Sequence, residues 1–331
     1  MPIDLKGLRC LVLGGSGFIG ANLCRALLAE GAIVRSLARA IPPTNGDDQA
    51  WQRQTEWSCG DFSDGALIRH SLRNIDVVFH LISTTLPATS NADARHDLTS
   101  NVLPTLQMLE LARESGVRKI IFVSSGGAIY GKPERVPIPE NHGTNPICAY
   151  GIHKLAIEKY LHLFHHLSNL DYAIVRPSNP YGPGQPVDRP QGVIANFMHK
   201  AVKGEPVEIW GDGRVVRDYV YIDDLITACV LLVGHQGPSR VFNIGTGQGH
   251  TLLELISMIE SITGERVQVR FREARSADVP VNVLEISRAI AELNWRPTTD
   301  LAAGMKQMFD HSACLWSARD ARLAAAQALA K

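Results

Sequence analysis

The chain has 331 residues, 45% of them hydrophobic and 20% charged, with 33 basic side chains against 33 acidic and a formal net charge of zero. That is an ordinary globular composition, with ample core for one large domain or two intimate ones. The basic residues are scattered, so no field selects nucleic acid or an anionic membrane, and a small-molecule substrate is expected.

The six cysteines (Cys10, Cys24, Cys59, Cys148, Cys229, Cys314) are far apart and form no C-x-x-C pair. They read as reduced thiols of a cytoplasmic protein rather than as disulfides or zinc ligands. No basic segment followed by an apolar stretch and a cleavage site opens the sequence, and no apolar run reaches membrane-spanning length.

Arg9 to Leu13 is a short apolar run, the pattern of a buried parallel strand. Gly14-Gly15-Ser16-Gly17-Phe18-Ile19-Gly20 follows, and Asn22 to Glu30 then has helical periodicity that stops at Gly31. Strand, glycine turn and helix together are the context of a dinucleotide fingerprint. Gly14 allows the tight turn, Gly17 lets the backbone approach a pyrophosphate, and Gly20 lets the helix lie close. Phe18 and Ile19 open the helix, whose free N–H groups and positive dipole end suit the phosphates.

The second strand, Ala32 to Ala38, lacks the terminal acid that would bind a ribose 2′-hydroxyl. Ala38-Arg39 instead suits a 2′-phosphate, which favours NADP over NAD. Residues 41–51, with Pro42, Pro43, Asn45 and Gly46, read as a loop. Asp61-Phe62 after the third strand can meet the adenine, unless Asp61 caps the helix over Ala66 to Leu72. Asp76 to Ile82 is a fourth buried strand. Leu81 and Ser83-Thr84-Thr85 at its end face the cofactor, with Thr85 toward the substrate. Asn101 reads as the start of the next helix, placed to fix the nicotinamide end. Lys119 to Val123 is the fifth strand and runs into Ser124-Ser125-Gly126-Gly127-Ala128-Ile129-Tyr130-Gly131.

Tyr150-Gly151-Ile152-His153-Lys154 follows. A tyrosine and a lysine four apart share a helix face, and a nearby ammonium lowers a phenol's pKa, so Tyr150 can accept a proton from a hydroxyl. Tyr172 to Arg176 is the sixth strand, with Pro177 at the cofactor and a turn-rich exit through Ser178, Asn179 and Pro180.

In order and spacing, GGSGFIG, GDFSD, DVVFHL, FVSSGGAIYG, YGIHK, RPSNPYGPGQ, WGDGRVVRDYVYIDD, FNIGTGQ and LNWRP resemble the extended short-chain dehydrogenase/reductases of the NAD-dependent epimerase/dehydratase family, best known for UDP-glucose 4-epimerases. The resemblance implies an α/β Rossmann doubly wound parallel sheet over residues 1–178. A smaller α/β sugar-nucleotide lobe is implied over 179–331, with part of 211–245 returning to the Rossmann domain. It also implies a Ser/Thr–Tyr–Lys triad. Tyr150 and Lys154 match directly. The usual Ser/Thr position, four residues before Tyr130, is Gly126, so Ser125 is the substitute and Ser124 the next. Gly126-Gly127-Ala128 also lacks the acid and base of the family's dehydratases and the acid of its decarboxylases, which disfavours both.

On the substrate side, the resemblance implies that Asn179 meets the pyrophosphate and that Val193, opening the helix at 192–201, meets the diphosphate. Trp210 lies along the base, Arg217 and Arg275 clamp phosphate as arginine forks do, and Asp278 binds a ribose. Asn282 stands where strict UDP-glucose epimerases carry a bulky tyrosine, which leaves room for an N-acetylhexosamine. No metal is implied.

The expected activity is C4 epimerisation of a UDP-, dTDP- or GDP-linked hexose by transient oxidation. A 4-keto nucleotide-sugar reductase using NADPH is the runner-up, and a non-catalytic NAD(P) sensor or scaffold the reading of another class. A homodimer is implied, with helices near Thr105 to Glu114 and Tyr150 to His166 in a four-helix interface. Ile157, Leu161 and Phe164 form an apolar stripe that faces either that interface or the core. Residues 303–331 read as helical.

Overall fold

The computed structural model describes residues 4–42, 50–187, 192–274, 279–312 and 316. Seven strands form the main sheet: β1 (Arg9–Leu13), β2 (Ile33–Ala38), β3 (Glu56–Cys59), β4 (Val77–His80), β5 (Lys119–Val123), β6 (Asp171–Pro177) and β11 (Val241–Ile244). All pair in parallel, in the order β11-β6-β5-β4-β1-β2-β3. The order reverses between β1 and β4, which opens a crevice at their C-terminal ends.

Seven helices connect the first part of the chain: α1 (Phe18–Ala29), α2 (Ala50–Gln54), α3 (Gly65–Ser71), α4 (Ala94–Glu114), α5 (Ala149–Ser168), α6 (Val193–Lys203) and α7 (Ile222–Gly234). Alternation along each strand divides its side chains between two cores. Cys10, Val12, Val34, Phe79, Ile121 and Val175 face one core with Leu23 and Leu27 of α1 and Leu225 and Leu232 of α7. Leu11, Leu13, Val78, Ile120, Phe122 and Ile174 face the other, with Ile68 of α3, Leu109 of α4 and Leu161 of α5.

The remaining elements build a smaller lobe. Here β7 (Asn179–Tyr181) pairs β10 (Tyr219–Tyr221), and β8 (Val207–Trp210) pairs β13 (Val269–Arg272). The strand β9 (Val216–Arg217) lies between β12 (His250–Thr251) and β14 (Val281–Asn282). Helices α8 (Leu252–Thr263) and α9 (Ser287–Leu293) complete it. A capping box between Thr251 and Glu254 starts α8, and Gly264 in the left-handed region ends it. A last helix runs over the described residues 301–312.

One expectation is corrected and two open alternatives are decided. Asn101 does not start a helix: α4 begins seven residues earlier, where Asp93 accepts the His96 N–H. Pro104 lies inside this helix. Asp61 does not cap α3; Asp64 does, accepting from the Ala66 and Leu67 N–H groups. The Ile157, Leu161 and Phe164 stripe faces this chain's own core, Ile157 and Leu161 being fully buried. The apolar side chains exposed on α4 and α5 are instead Leu98, Leu103, Ile152, Leu163 and Leu167. No helix among the described residues is long and apolar enough to cross a membrane.

Candidate active site

The crevice at the β1–β4 reversal begins with the glycine turn. Gly14 adopts φ +94°, open to glycine and costly for other residues. A Cβ on Gly20 would run into the Gly14 carbonyl oxygen and lie 2.7 Å from Gly15 Cα, so α1 can approach the turn only without a side chain there. Gly17 is the N-cap of α1 and supplies no side-chain acceptor, which leaves the helix-start N–H groups at Phe18 and Ile19 facing outward as an anion cradle. This bare, tightly wound turn fits a pyrophosphate.

Around it, Arg39 is exposed immediately past β2, and Phe62 is buried with its ring 5.3 Å from that of His80. The Asp61 carboxylate accepts from the Ser63 hydroxyl (2.6 Å) and N–H (2.8 Å). Those bonds, aided by Arg39, hold its pKa below the usual range. Leu81 donates its N–H to the Leu13 carbonyl, and the Ser83 hydroxyl donates to the Thr85 carbonyl. Asn101 is buried. Its amide accepts the Thr84 N–H and donates to the Thr84 hydroxyl, so it clamps the loop after β4 to α4.

The start of α5 is anchored before its catalytic candidates appear. The Ala149 N–H donates to Asn91 Oδ1 and the Tyr150 N–H to Ser90 Oγ, so a side chain satisfies each of these helix-start donors. A Cβ on Gly151 would lie 2.6 Å from the Ala128 carbonyl oxygen. Glycine after Tyr150 therefore lets α5 lie against the turn that leaves β5. The Ser125 hydroxyl approaches the half-buried Tyr150 phenol closely enough to lower its pKa.

Ser124 is engaged elsewhere. It donates to Glu158 Oε1 at 2.5 Å, and Glu158 is held by the Arg176 guanidinium at 2.5 and 3.1 Å. Gly126 has no room for a side chain, because a Cβ there would lie 2.5 Å from Leu284 Cδ1 and 2.9 Å from the Pro177 carbonyl oxygen. The hydroxyl next to that position is the one on Ser125.

Lys154 is buried. Its Nζ donates to the Val123 carbonyl at 2.9 Å and stands 4.8 Å above the Phe122 ring and 5.7 Å from the Tyr150 ring centre. Burial pulls its pKa down to about 7, against the opposing charges of Glu158 and Asp97. The expected lowering of Tyr150 by Lys154 is not what the structure holds. Burial pushes the phenol up to about 12, and the bond from Ser125 only partly offsets it. The lysine is turned to a carbonyl rather than to the phenol.

Among the substrate candidates, Thr85 donates to Asp97. Asn179 donates its side-chain and backbone N–H to the Asp218 carbonyl, at 2.8 and 3.0 Å. Val193 opens α6, and Pro177 is buried at the end of β6. Trp210, 40% exposed, walls a cavity of about 280 Å³ together with Gly211, Arg214, Ala274 and Pro280. Arg217 pairs with Asn282 across β9 and β14. Asn282 is buried and donates to the Gly126 carbonyl at 3.2 Å, while its Oδ1 has no partner. Arg275 and Asp278 lie outside the described residues. Among the described residues no cluster of metal-ligating side chains occurs.

Sequence reasoning passed over Glu158, Arg176 and the buried Asp97–His153 pair. The spacing Tyr150, Lys154, Glu158 along one face of α5 was a signal for the first. The rest meet only through tertiary contacts.

Residues 10–245 match the family model described as "NAD dependent epimerase/dehydratase family". The chain is similar to a UDP-glucose 4-epimerase of Thermotoga maritima solved with UDP-glucose, at 35% identity and a TM-score of 0.86, covering 92% of this chain and 98% of that one. It is also similar to the UDP-glucose 4-epimerase of Thermus thermophilus solved with NAD, at 31% identity and a TM-score of 0.84, covering 92% and 98%. A dTDP-4-dehydro-6-deoxyglucose reductase of Escherichia coli is 32% identical over 94% of this chain and all of its own length.

Proposed function

Since the chain belongs to the NAD-dependent epimerase/dehydratase family, we propose that it interconverts nucleotide-linked hexoses at C4, as a nucleotide-sugar 4-epimerase. The observation that carries this reading is the Ser125–Tyr150 hydroxyl pair set beside the buried Lys154 at the end of β5. The glycine turn of residues 14–20 and the helix start at Phe18 and Ile19 would hold the dinucleotide. Arg39, Asp61, Phe62, Leu81, Ser83 and Pro177 line its course. When bound and oxidised, the nicotinamide supplies a hydride acceptor for C4.

The protein's own part is acid–base chemistry and positioning. Tyr150 Oη takes the proton of the C4 hydroxyl and returns it after the sugar presents its other face. Ser125 holds that hydroxyl in line. A charged Lys154 favours the phenolate when it turns from Val123 toward the phenol. Asn179, Val193, Trp210, Arg217, Arg275 and Asp278 would hold the nucleotide diphosphate. Asn282 Oδ1, a buried acceptor without a partner next to Gly126, suits an N–H or O–H of the sugar, which supports an N-acetylhexosamine. The exposed Leu98, Leu103, Ile152, Leu163 and Leu167 on α4 and α5 support a homodimer across those helices. Free cysteines, three of them buried, suit the cytoplasm.

Two observations favour a second reading, a 4-keto nucleotide-sugar reductase using NADPH. Arg39 suits a 2′-phosphate, and a phenol pushed up to about 12 carries its proton at neutral pH, the form needed to protonate the oxygen of a carbonyl being reduced. Denaturing the purified protein and identifying the released nucleotide by mass spectrometry separates the two. Stoichiometric NAD(H) supports the epimerase. An empty protein that consumes NADPH in the presence of a 4-keto sugar nucleotide supports the reductase. A Tyr150→Phe variant with full turnover would overturn both.

A further inference from the structure

We propose that Thr85 and the buried Asp97 and His153 form a polar triplet beside Tyr150 that sets the orientation and proton affinity of its phenol, with Asp97 as a positioning residue for the acid–base group. The inference rests on the role given to Tyr150 above.

Asp97 is 2% exposed, one turn into α4. Two donors converge on its carboxylate. The Thr85 hydroxyl reaches it from the loop after β4, and His153 Nδ1 lies 2.8 and 3.0 Å from its two oxygens. The His153 ring, 2% exposed, then meets the Tyr150 ring edge to face, with centres 5.1 Å apart. The triplet therefore ties the loop over the crevice to the helix that carries the triad.

The protonation state of the triplet follows from its surroundings. His153 Nε2 is buried with no partner, so an imidazolium there would leave one charged N–H unsatisfied. Burial, reinforced by Lys154, pulls the histidine down to about 4. At neutral pH the imidazole is a neutral donor at Nδ1, and the triplet keeps the single negative charge of Asp97 in a dry site. That charge acts on Tyr150, His153 and Lys154; the other groups facing these three are Ser125 beyond β5 and Cys148 at the α5 N-cap, against Tyr150, Glu158 on α5, against Lys154, and His80 on β4, against Lys154 and His153. A carboxylate opposes formation of phenolate and favours the ammonium, so Asp97 makes Tyr150 a stronger base and, with Glu158, keeps Lys154 charged.

The test is the Asp97→Asn variant, which keeps the shape and an acceptor for both donors but removes the charge. The near-ultraviolet absorbance of tyrosinate is followed against pH, with Tyr150→Phe as the subtraction reference, and the profile of kcat is measured beside it. The expected result is a Tyr150 midpoint lowered by about one pH unit. Both limbs of the kcat profile should move to lower pH, because Tyr150 and Lys154 lose the same field. An unmoved midpoint, or a drop in kcat with the profile unshifted, would overturn the proposal.

If Asp97→Asn fails to fold, Thr85→Val decides, since it leaves the carboxylate less neutralised. An upward shift of the midpoint supports the triplet and no shift overturns it. Full turnover by Tyr150→Phe would refute the catalytic reading and leave the titration of the triplet intact, so the two failures are distinguishable.

Discussion

Lys154 is expected to be a burden on the fold, and replacing it with methionine should stabilise the protein while abolishing turnover. The lysine is 2% exposed and its pKa falls from 10.5 to about 7. At 1.36 kcal/mol per pH unit, holding it charged costs about 5 kcal/mol. Methionine fills similar volume but leaves the Val123 carbonyl without its donor, a loss of about 1–3 kcal/mol. The net expectation is a gain of about 2–4 kcal/mol under conditions where the lysine is protonated in both states.

The pH dependence gives the sign. Between the folded value of about 7 and the unfolded value of 10.5, the unfolded chain binds the extra proton, so wild-type stability rises with pH across that window. The advantage of Lys154→Met should be largest below about pH 7 and shrink toward pH 10. Urea unfolding of nucleotide-free protein at the two ends of the window measures it, provided both proteins give the same m-value. A variant less stable than wild type at the acidic end, or an advantage that does not change with pH, refutes the reasoning.

The two serines should separate cleanly. Ser125→Ala is expected to lower kcat by about 10- to 100-fold at unchanged stability, since it removes a hydrogen bond to the reacting phenol. Ser124→Ala should cost about 1–2 kcal/mol of stability, through the donor lost by Glu158, as read by thermal unfolding. The reverse assignment of effects would transfer the triad role to Ser124. Arg176→Met leaves Glu158 buried and unpaired and should cost about 3–5 kcal/mol. Adding Glu158→Leu should recover most of that loss in a double-mutant cycle, and additivity of the two losses would contradict the pairing.

Some of this site was legible before folding because its determinants are local. Gly14 must take a positive φ, Gly20 must lack a Cβ, and Tyr150 and Lys154 must lie one turn apart. Each is a statement about residues within one turn or one helix. The parallel strands were legible too, because strands buried on both faces write continuous apolar runs such as those of β1 and β5. Asn101 shows where local reading fails. Asparagine ahead of a leucine-rich run looks like a helix start, yet Asp93 captures that role and the asparagine amide is drawn to Thr84.

By itself, then, the sequence determined the strand–turn–helix cradle, the order of the elements and the tyrosine–lysine pair, because periodicity and backbone freedom act over a few residues. Only the tertiary structure decided which serine meets Tyr150, because Glu158, held by Arg176, engages the Ser124 hydroxyl and leaves Ser125 beside the phenol. Only it decided the charges of the site as well. The pKa of Lys154 and of Tyr150 depends on desolvation and on Asp97 and Glu158, whose fields exist at that strength only once the chain has excluded water from around them.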